Sequence, residues 1–388
     1  MEKTLPSYHS LPHKHSATGT TIFTVMSALA QEHNAINLSQ GFPDFHIDAD
    51  LSAALGEAAN AGFNQYAPMA GLPALRQAIA ANFKQRYDVS IDADSEVTIT
   101  PGATYAIYTA FTAILTPGDE VIVLEPAYDS YIPNIEMNGA IVVPVALDAP
   151  HFTVNWNKVQ DAITPRTRAI IINTPHNPTG ATWARADWDQ LADLVRDTEI
   201  LILSDEVYEQ LVFDGQEHYS VLQHPELRER SFALYSFGKV YNNTGWKIGY
   251  CIAPPALTQA FRRIHQFVSF TVNTPAQHAL THILNKGITT PVSKTMQAKR
   301  DYFLSLMADT AFTIHQPAGG SYFQLASYER ISPLPDMEFA RWLTTEHGVA
   351  TIPVSPFYAS RQDDKLIRFC FAKKEETLLA AVERLRKI

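Results

Sequence analysis

The sequence contains only two cysteines in 388 residues, Cys251 and Cys370, and each lies inside an apolar run. Isolated thiols in such surroundings are typical of buried free cysteines, so we predict no disulfide framework and a reducing compartment. No run approaches the ~18 apolar residues of a membrane helix, and the first residues lack the apolar segment of a signal peptide. We therefore expect a cytoplasmic protein that has no membrane partner.

Positive charge is also scarce. The 30 Lys and Arg are outnumbered by 40 Asp and Glu, which gives a formal net charge of −10. Nucleic-acid-binding proteins usually have a basic face, so that class is disfavoured. The sequence has no GxGxxG motif after its first strand and no P-loop, so a plain oxidoreductase is not supported. No metal site is predicted.

Apolar, β-branched runs recur along the middle of the chain. They lie at 96–100, 120–126, 140–147, 169–173, 199–205, 232–236 and 249–253. Helical patterns separate most of these runs. Near-continuous apolar strands that alternate with helices are typical of a mostly parallel sheet with helices on both faces. The sequence therefore predicts an α/β fold whose seven-stranded sheet is sandwiched by helices.

The pattern changes towards the C-terminus. A long helical pattern at 292–308 leads into shorter strands and a last helix, which predicts a smaller α+β domain over 286–388. Residues 48–285 would form the large domain, and residues 1–47 would be an N-terminal arm that joins the small one. We expect the active site to lie between the two domains.

Small, polar or charged residues follow five of the predicted strands, where ligands of open α/β sheets bind. These residues are Gly102, Ala103, Thr104, Tyr128, Asn177, Asp205, Tyr208, Ser236, Lys239 and Lys247. The first three open a helix, where backbone N–H groups favour a phosphate. Together the set indicates one ligand: a flat heteroaromatic ring with a phosphate, held covalently by a lysine.

Each of these residues also has an ordinary interpretation. Without a ligand, Lys239 would be a solvated loop lysine, Asp205 would be a helix N-cap, and Asn177 would be a turn former. Arg368 lies within the apolar run KLIRFCFA. It is either a snorkelling or ion-paired arginine, or a bidentate clamp for a carboxylate.

Several longer motifs carry a specific resemblance. They are LSQGFPDF (38–45), NQYAPMAG (64–71), EPAYDSY (125–131), NTPHNPTG (173–180), SDEVYE (204–209), SFGKVYNNTGWKIGY (236–250) and KLIRFCFAK (365–373). Over nearly its whole length the chain resembles the class I and II, fold-type-I aminotransferases, which use pyridoxal 5′-phosphate (PLP). Within that family it is most similar to the branch of bacterial methionine aminotransferases and kynurenine aminotransferases/glutamine transaminase K.

The resemblance implies roles for the cofactor-binding residues. Lys239 would bind PLP covalently and later move the α-proton, and Asp205 would keep the pyridine nitrogen protonated. Tyr208 and Asn177 would hydrogen-bond the phenolic oxygen of the ring, and Tyr128 would stack on its face. The phosphate would be held by Gly102, Ala103, Thr104, Ser236 and Lys247, and by Tyr66 from the other subunit of a homodimer.

The resemblance also implies how the substrate binds. Arg368 would clamp the carboxylate with help from Gly41 and Asn177, and Phe23 falls where some relatives place a tryptophan over the substrate. Lys247 stands where many family members have arginine, although this branch also uses lysine there. Candidate pocket residues are aromatic: Phe23, Tyr105, Phe357 and Tyr358.

The reaction implied is a ping-pong transfer of the amino group from an L-amino acid to a 2-oxo acid. Methionine is the first candidate donor, followed by glutamine, phenylalanine, tyrosine and kynurenine. A PLP-dependent carbon–sulfur β-lyase shares every cofactor motif and stays open as an alternative. A non-catalytic PLP-binding regulator is a further alternative, but the leader before residue 20 is too short for its helix-turn-helix.

Overall fold

The architecture is described from a computed structural model covering residues 14–16, 19–287 and 292–388. The strands are β1 Ile36–Asn37, β2 Val97–Thr100, β3 Glu120–Glu125, β4 Ile141–Ala146, β5 Thr167–Asn173, β6 Leu201–Asp205, β7 Ser231–Ser236, β8 Gly249–Ile252, β9 Phe323–Ser327, β10 Val349–Ala350, β11 Ile352–Pro353 and β12 Leu366–Cys370. The helices are α1 Ile22–Glu32, α2 Ala49–Asn60, α3 Pro73–Tyr87, α4 Ala103–Ile114, α5 Tyr131–Glu136, α6 Trp156–Asp161, α7 Arg185–Val195, α8 Pro225–Arg228, α9 Phe237–Val240, α10 Pro255–Val268, α11 Thr274–Lys286, α12 Val292–Met307, α13 Asp336–His347 and α14 Glu375–Leu385.

Seven strands form the large sheet, in the order β2-β8-β7-β6-β5-β3-β4. The pairs from β7 to β4 are parallel, whereas β8 runs antiparallel to both β2 and β7. The predicted seven-stranded, mostly parallel sheet is therefore confirmed. The parallel strands all present their carboxyl ends at one edge, where the polar residues singled out in the sequence follow them.

Alternate residues of the large sheet enter different hydrophobic cores. In β3, Val121 and Val123 pack in a core with Phe111 of helix α4, whereas Ile122 packs in another core with Trp188 of helix α7. Successive side chains of a strand point to opposite faces. Both faces are therefore covered by helices, which explains why the strands read as continuous apolar runs.

A small antiparallel sheet follows, in the order β11-β12-β9, and a two-stranded parallel pair joins β1 to β10. A separate core lies beneath it, with Phe303 of α12, Phe339 of α13, Phe369 of β12 and Leu378 of α14. Because β1 pairs with β10, the N-terminal segment and the C-terminal part of the chain share this region. The proposed domain limits at residues 47 and 285 stay predictions.

Both cysteines are buried and free, Cys251 in β8 and Cys370 in β12. Within the described residues, none of the helices combines the length and the apolar character needed to span a bilayer. The cytoplasmic location stays a prediction.

Candidate active site

A cavity of about 240 Å³ lies at the carboxyl edge of the large sheet, beside the small sheet. Its lining contains every residue to which the resemblance gives a role in cofactor or substrate binding, except Tyr66. Its lining includes Phe23, Gly41, Gly102, Ala103, Thr104, Tyr128, Asn177, Asp205, Tyr208, Ser236, Lys239, Lys247 and Arg368. Residues from eight sequence-distant segments therefore meet in one place.

Lys239 lies in the one-turn helix α9, which directly follows strand β7. Its Nζ donates a hydrogen bond to the main-chain oxygen of Gly41 at 2.9 Å. Burial lowers the pKa of Lys239 to about 8, and the positive charges of Arg368 and Lys247 act in the same direction. The uncharged amine, which is the nucleophilic form, is therefore more populated near neutral pH than in an ordinary lysine.

Asp205 is the last residue of β6 and is only 4% exposed. Its Oδ2 accepts a hydrogen bond from the hydroxyl of Tyr131 at 2.6 Å, and its Oδ1 accepts one from the backbone N–H of Val207 at 3.3 Å. Burial nevertheless raises its pKa to about 6. A cationic group in the cavity would offset this desolvation, so the position suits a protonated ring nitrogen.

The start of helix α4 is a candidate anion site. Its N-cap is Gly102, with φ +82°, and no side chain caps the first turn. A Cβ built on Gly102 would lie 3.4 Å from Nζ of Lys247, so the ammonium group borders this helix end. Ser236 lines the same cavity. Uncapped N–H groups, a lysine and a hydroxyl together form a donor set that fits a phosphate.

Gly249 makes the close approach at this anion site possible. In the sheet it is paired with Thr100 on one side and with Ser236 on the other. A Cβ at this position would collide with the main-chain oxygen of Tyr235 and would lie 3.0 Å from the backbone nitrogen of Ala103. Only glycine lets the start of α4 lie this close to the end of β7.

Arg368 of β12 is fully buried, and its guanidinium is partly satisfied. One terminal nitrogen donates to Oδ1 of Asn177 at 2.6 Å and the other to the main-chain oxygen of Ser39 at 2.8 Å. Among the described residues, its Nε has no hydrogen-bond partner. Burial lowers the pKa of Arg368 to about 10. A carboxylate in the cavity would supply the missing acceptor and the missing negative charge.

Three candidate pocket residues do not line the cavity, which corrects the expectation from the sequence. The hydroxyl of Tyr105 lies 3.0 Å from Nδ1 of His265, and that of Tyr358 donates to Oδ2 of Asp364 at 3.0 Å. These polar partners lie away from the cavity and fix both rings there. Phe357 packs behind Phe23, with ring centroids 5.8 Å apart.

Tyr66 is also outside the cavity lining, and its side chain is 82% exposed. Its ring packs edge-on against Phe270, with centroids 5.7 Å apart. Its predicted contribution to a phosphate site in another subunit stays a prediction.

The sequence did not reveal several residues of the site. One is Tyr131, whose hydroxyl donates a hydrogen bond to Asp205. Another is Asn173, whose side-chain amide donates to the main-chain oxygen of Asp205 and whose Oδ1 accepts from the backbone N–H of Asn177. Phe323 lines the cavity beside Arg368. Asn173 opens the NTPHNPTG motif, so its place at a strand end was a usable signal. Tyr131 and Phe323 look like ordinary core aromatics in the sequence.

The fold and this donor set define a class of enzyme. The family model for aminotransferase class I and II matches residues 33–385. The chain belongs to the class I and II aminotransferases, a family of PLP-dependent enzymes. The chemistry of the donor set fits that cofactor: an anion site, a buried acid for a cationic ring nitrogen, and a lysine with a lowered pKa.

Individual relatives are similar over nearly the full length. The chain is 50% identical over 372 residues to the methionine aminotransferase of Escherichia coli K12, covering 95% of this chain and 96% of the relative. The crystal structure of YbdL from Escherichia coli, reported with a methionine aminotransferase function, superposes with a TM-score of 0.94 at 49% identity, covering 97% and 99% of the two chains. Human kynurenine–oxoglutarate transaminase 3 is 33% identical, covering 95% and 88%.

The close approach at Gly249 leads to a testable prediction. Gly249→Ala should destabilise the PLP-free protein by about 1–3 kcal/mol and weaken PLP binding, because the new methyl group pushes β7 and the start of α4 apart. Urea unfolding and titration with PLP measure the two effects. Gly245→Ala is the matched control, since a Cβ there meets nothing within 4 Å. Equal behaviour of the two variants would contradict this account of the anion site.

Proposed function

We propose that this aminotransferase uses PLP and accepts methionine first, with glutamine, phenylalanine, tyrosine and kynurenine as further donors and a 2-oxo acid as acceptor. One observation carries the preference: among the described residues, the cavity lining has a single arginine, Arg368. Apolar side chains border the same space, including Phe23, Phe42 and Ile107. Similarity to methionine and kynurenine aminotransferases supports the same choice.

Bound PLP supplies an aldehyde that exchanges the lysine amine for the substrate amine, and a ring that withdraws electrons from the substrate Cα. We assign its phosphate to Gly102, Ala103, Thr104, Ser236 and Lys247. Tyr128 is assigned to the ring face, and Tyr208 with Asn177 to the phenolic oxygen. Asp205 holds a proton on the ring nitrogen, because its buried carboxylate is stabilised by a cation.

Lys239 has two tasks in this proposal. With a pKa of about 8, its amine is available to bind the cofactor. Once free, the same amine would remove the proton from the substrate Cα as a general base and would later donate a proton as a general acid. Water would then release the first product as a 2-oxo acid, and a second 2-oxo acid would take the amino group by the same steps in reverse, which gives ping-pong kinetics.

Arg368 orients the substrate in this proposal. Its guanidinium binds the α-carboxylate, while Asn177 and the backbone of Gly41 border the same position. Fixing the carboxylate directs the Cα–H bond towards Lys239. Proximity and orientation of this kind contribute a large share of the rate in reactions between bound groups.

The substrate preference is tested by comparing glutamine with glutamate, which have nearly the same shape and differ in charge. In single-turnover reactions of the PLP-loaded enzyme, we expect methionine and glutamine to react on the order of 100-fold faster than glutamate. A second carboxylate would be buried without a cation, which costs several kcal/mol. Stopped-flow loss of the visible absorption of the cofactor measures the rates.

Two outcomes would contradict the proposal. Glutamate reacting as fast as glutamine would mean that a second cationic group serves the side chain. Pyruvate released from a cysteine conjugate without any oxo acid, together with no amino transfer from methionine, would identify a carbon–sulfur β-lyase.

We also propose a homodimer whose sites are completed by Tyr66. An aromatic surface, formed by Phe63, Tyr66, Phe267 and Phe270, supports this proposal. Phe267 is 86% exposed and lies at the end of α10, next to Phe270. The hydroxyl of Thr274 donates to the main-chain oxygen of Gln65, so the two segments form one continuous surface. Exposed apolar surfaces of this kind are typical of protein interfaces.

A mixed dimer tests the contribution of Tyr66 directly. A purified heterodimer of Lys239→Ala and Tyr66→Ala chains should have about half of the wild-type activity, because one of its two sites then has both residues intact. Each homodimeric variant should be strongly impaired. Differently tagged chains allow the heterodimer to be isolated and assayed with methionine. No gain over the two parent variants, or a fully active monomer, would overturn the shared site.

A further inference from the structure

Two adjacent aromatic residues of the small sheet contact two different charged groups of the cavity. Tyr322 immediately precedes strand β9, and Phe323 is the first residue of that strand. Tyr322 contacts Lys239 of helix α9, whereas Phe323 contacts Arg368 of β12. None of the roles assigned above involves either aromatic residue.

Tyr322 holds the backbone of the catalytic lysine. Its hydroxyl donates to the main-chain oxygen of Lys239 and lies 3.3 Å from Oδ1 of Asn242. Lys239 lies in the single-turn helix α9, and the last carbonyl groups of a helix have no partner within it. Tyr322 therefore supplies a donor that the helix cannot. Its ring also lies 5.7 Å from Nζ of the same lysine.

The ring of Tyr322 is itself fixed. It is fully buried and packs edge-on against Tyr208, with centroids 5.4 Å apart. Its main-chain oxygen accepts a hydrogen bond from the backbone of Phe371 at 3.0 Å. The hydroxyl is thus delivered to Lys239 from a rigid position in the small sheet.

Phe323 supports the guanidinium of Arg368. The centre of its ring lies 3.9 Å from Cζ of that arginine, within stacking distance. The ring also fits against the backbone of Gly41, because a Cβ there would lie only 2.6 Å from Cζ of Phe323. Gly41 in turn accepts the hydrogen bond from Nζ of Lys239. Arginine, phenylalanine, glycine and lysine therefore form one continuous chain of contacts.

The turn before β9 is anchored to the large-sheet region. The backbone N–H of Gly320 donates to the main-chain oxygen of Gly180 at 3.0 Å, and the backbone N–H of Ser321 donates to the main-chain oxygen of Leu211 at 2.9 Å. Ser321 has φ +69°, an unusual conformation for a residue other than glycine, which is retained where surrounding contacts enforce it. The turn thus sets where both aromatic side chains lie.

We propose that Tyr322 and Phe323 are positioning residues, Tyr322 for the amine of Lys239 and Phe323 for the guanidinium of Arg368. This inference rests on the proposed function, in which one group moves the α-proton and the other binds the carboxylate. The two groups must be correctly spaced for the Cα–H bond to face the amine. Adjacent residues on one anchored turn fix that spacing.

Crossed effects of two substitutions test the proposal. Tyr322→Phe should slow α-proton transfer about tenfold and raise the kinetic isotope effect with α-deuterated methionine, because the lysine loses a hydrogen bond that orients it. Phe323→Leu should weaken binding of 4-(methylthio)butanoate, which is methionine without its amino group, about five- to tenfold. Each variant should leave the property affected by the other within about twofold of wild type.

Stopped-flow kinetics and spectroscopic titration of the PLP-loaded enzyme measure the two properties. Matched controls are Tyr328→Phe, which removes a buried hydroxyl bonded to the main-chain oxygen of Leu334, and Phe369→Leu in the core behind β12. Both controls should leave proton transfer and analogue binding unchanged. Phe323→Met replaces Phe323→Leu if the latter fails to fold.

The assignment would be overturned if each variant changed both proton transfer and analogue binding to the same extent, or if neither variant changed either property. Tyr322 and Phe323 would then have only a packing role. The proposed function fails separately, and visibly, if the wild-type enzyme neither reacts with methionine nor binds the analogue.

Discussion

The burial of the Lys239 amine close to the Arg368 guanidinium is the constraint on which the rest of the site depends. Burying charged groups costs several kcal/mol each unless partners offset it. Burial lowers the pKa values of both groups, and backbone oxygens that accept hydrogen bonds from them offset part of the cost. Asp205 is a buried acid of the same cavity, and burial raises its pKa to about 6 although Tyr131 and Val207 donate hydrogen bonds to it. An anionic substrate beside Arg368 and a cationic ring beside Asp205 would offset these costs of burial.

The large sheet could be predicted because strands that are buried on both faces appear in the sequence as continuous apolar runs. The run AIIIN matches the buried part of β5, and the residue after such a run lies at the functional edge. The same argument predicts that Asp205 and Lys239 lie at one edge of the sheet. The direction of a strand is harder to predict from the sequence. Twelve residues separate β7 from β8, about the minimum length of a helical crossover, so the sequence leaves both directions open; in the structure β8 runs antiparallel.

Contacts that depend on packing between distant segments could not be read from the sequence. Tyr322 and Lys239 are 83 positions apart in the chain, and no helical or strand periodicity in the sequence predicts their contact. Tyr131, likewise, looks like one more aromatic in an amphipathic pattern until the hydrogen bond to Asp205 is seen. Tyr105 and Tyr358 do not line the cavity, contrary to the prediction, for the converse reason. Their aromatic character suits a pocket, but their hydroxyl groups are held by polar partners elsewhere.

The central claim is that Lys239 is the residue that binds the cofactor covalently. The direct measurement is borohydride reduction of the PLP-loaded protein, followed by proteolysis and mass spectrometry of the labelled peptide. The account predicts one stable phosphopyridoxyl group per chain, carried by the peptide that contains Lys239. Label at Lys247 or at surface lysines in place of Lys239, or no stable label at all, would contradict it.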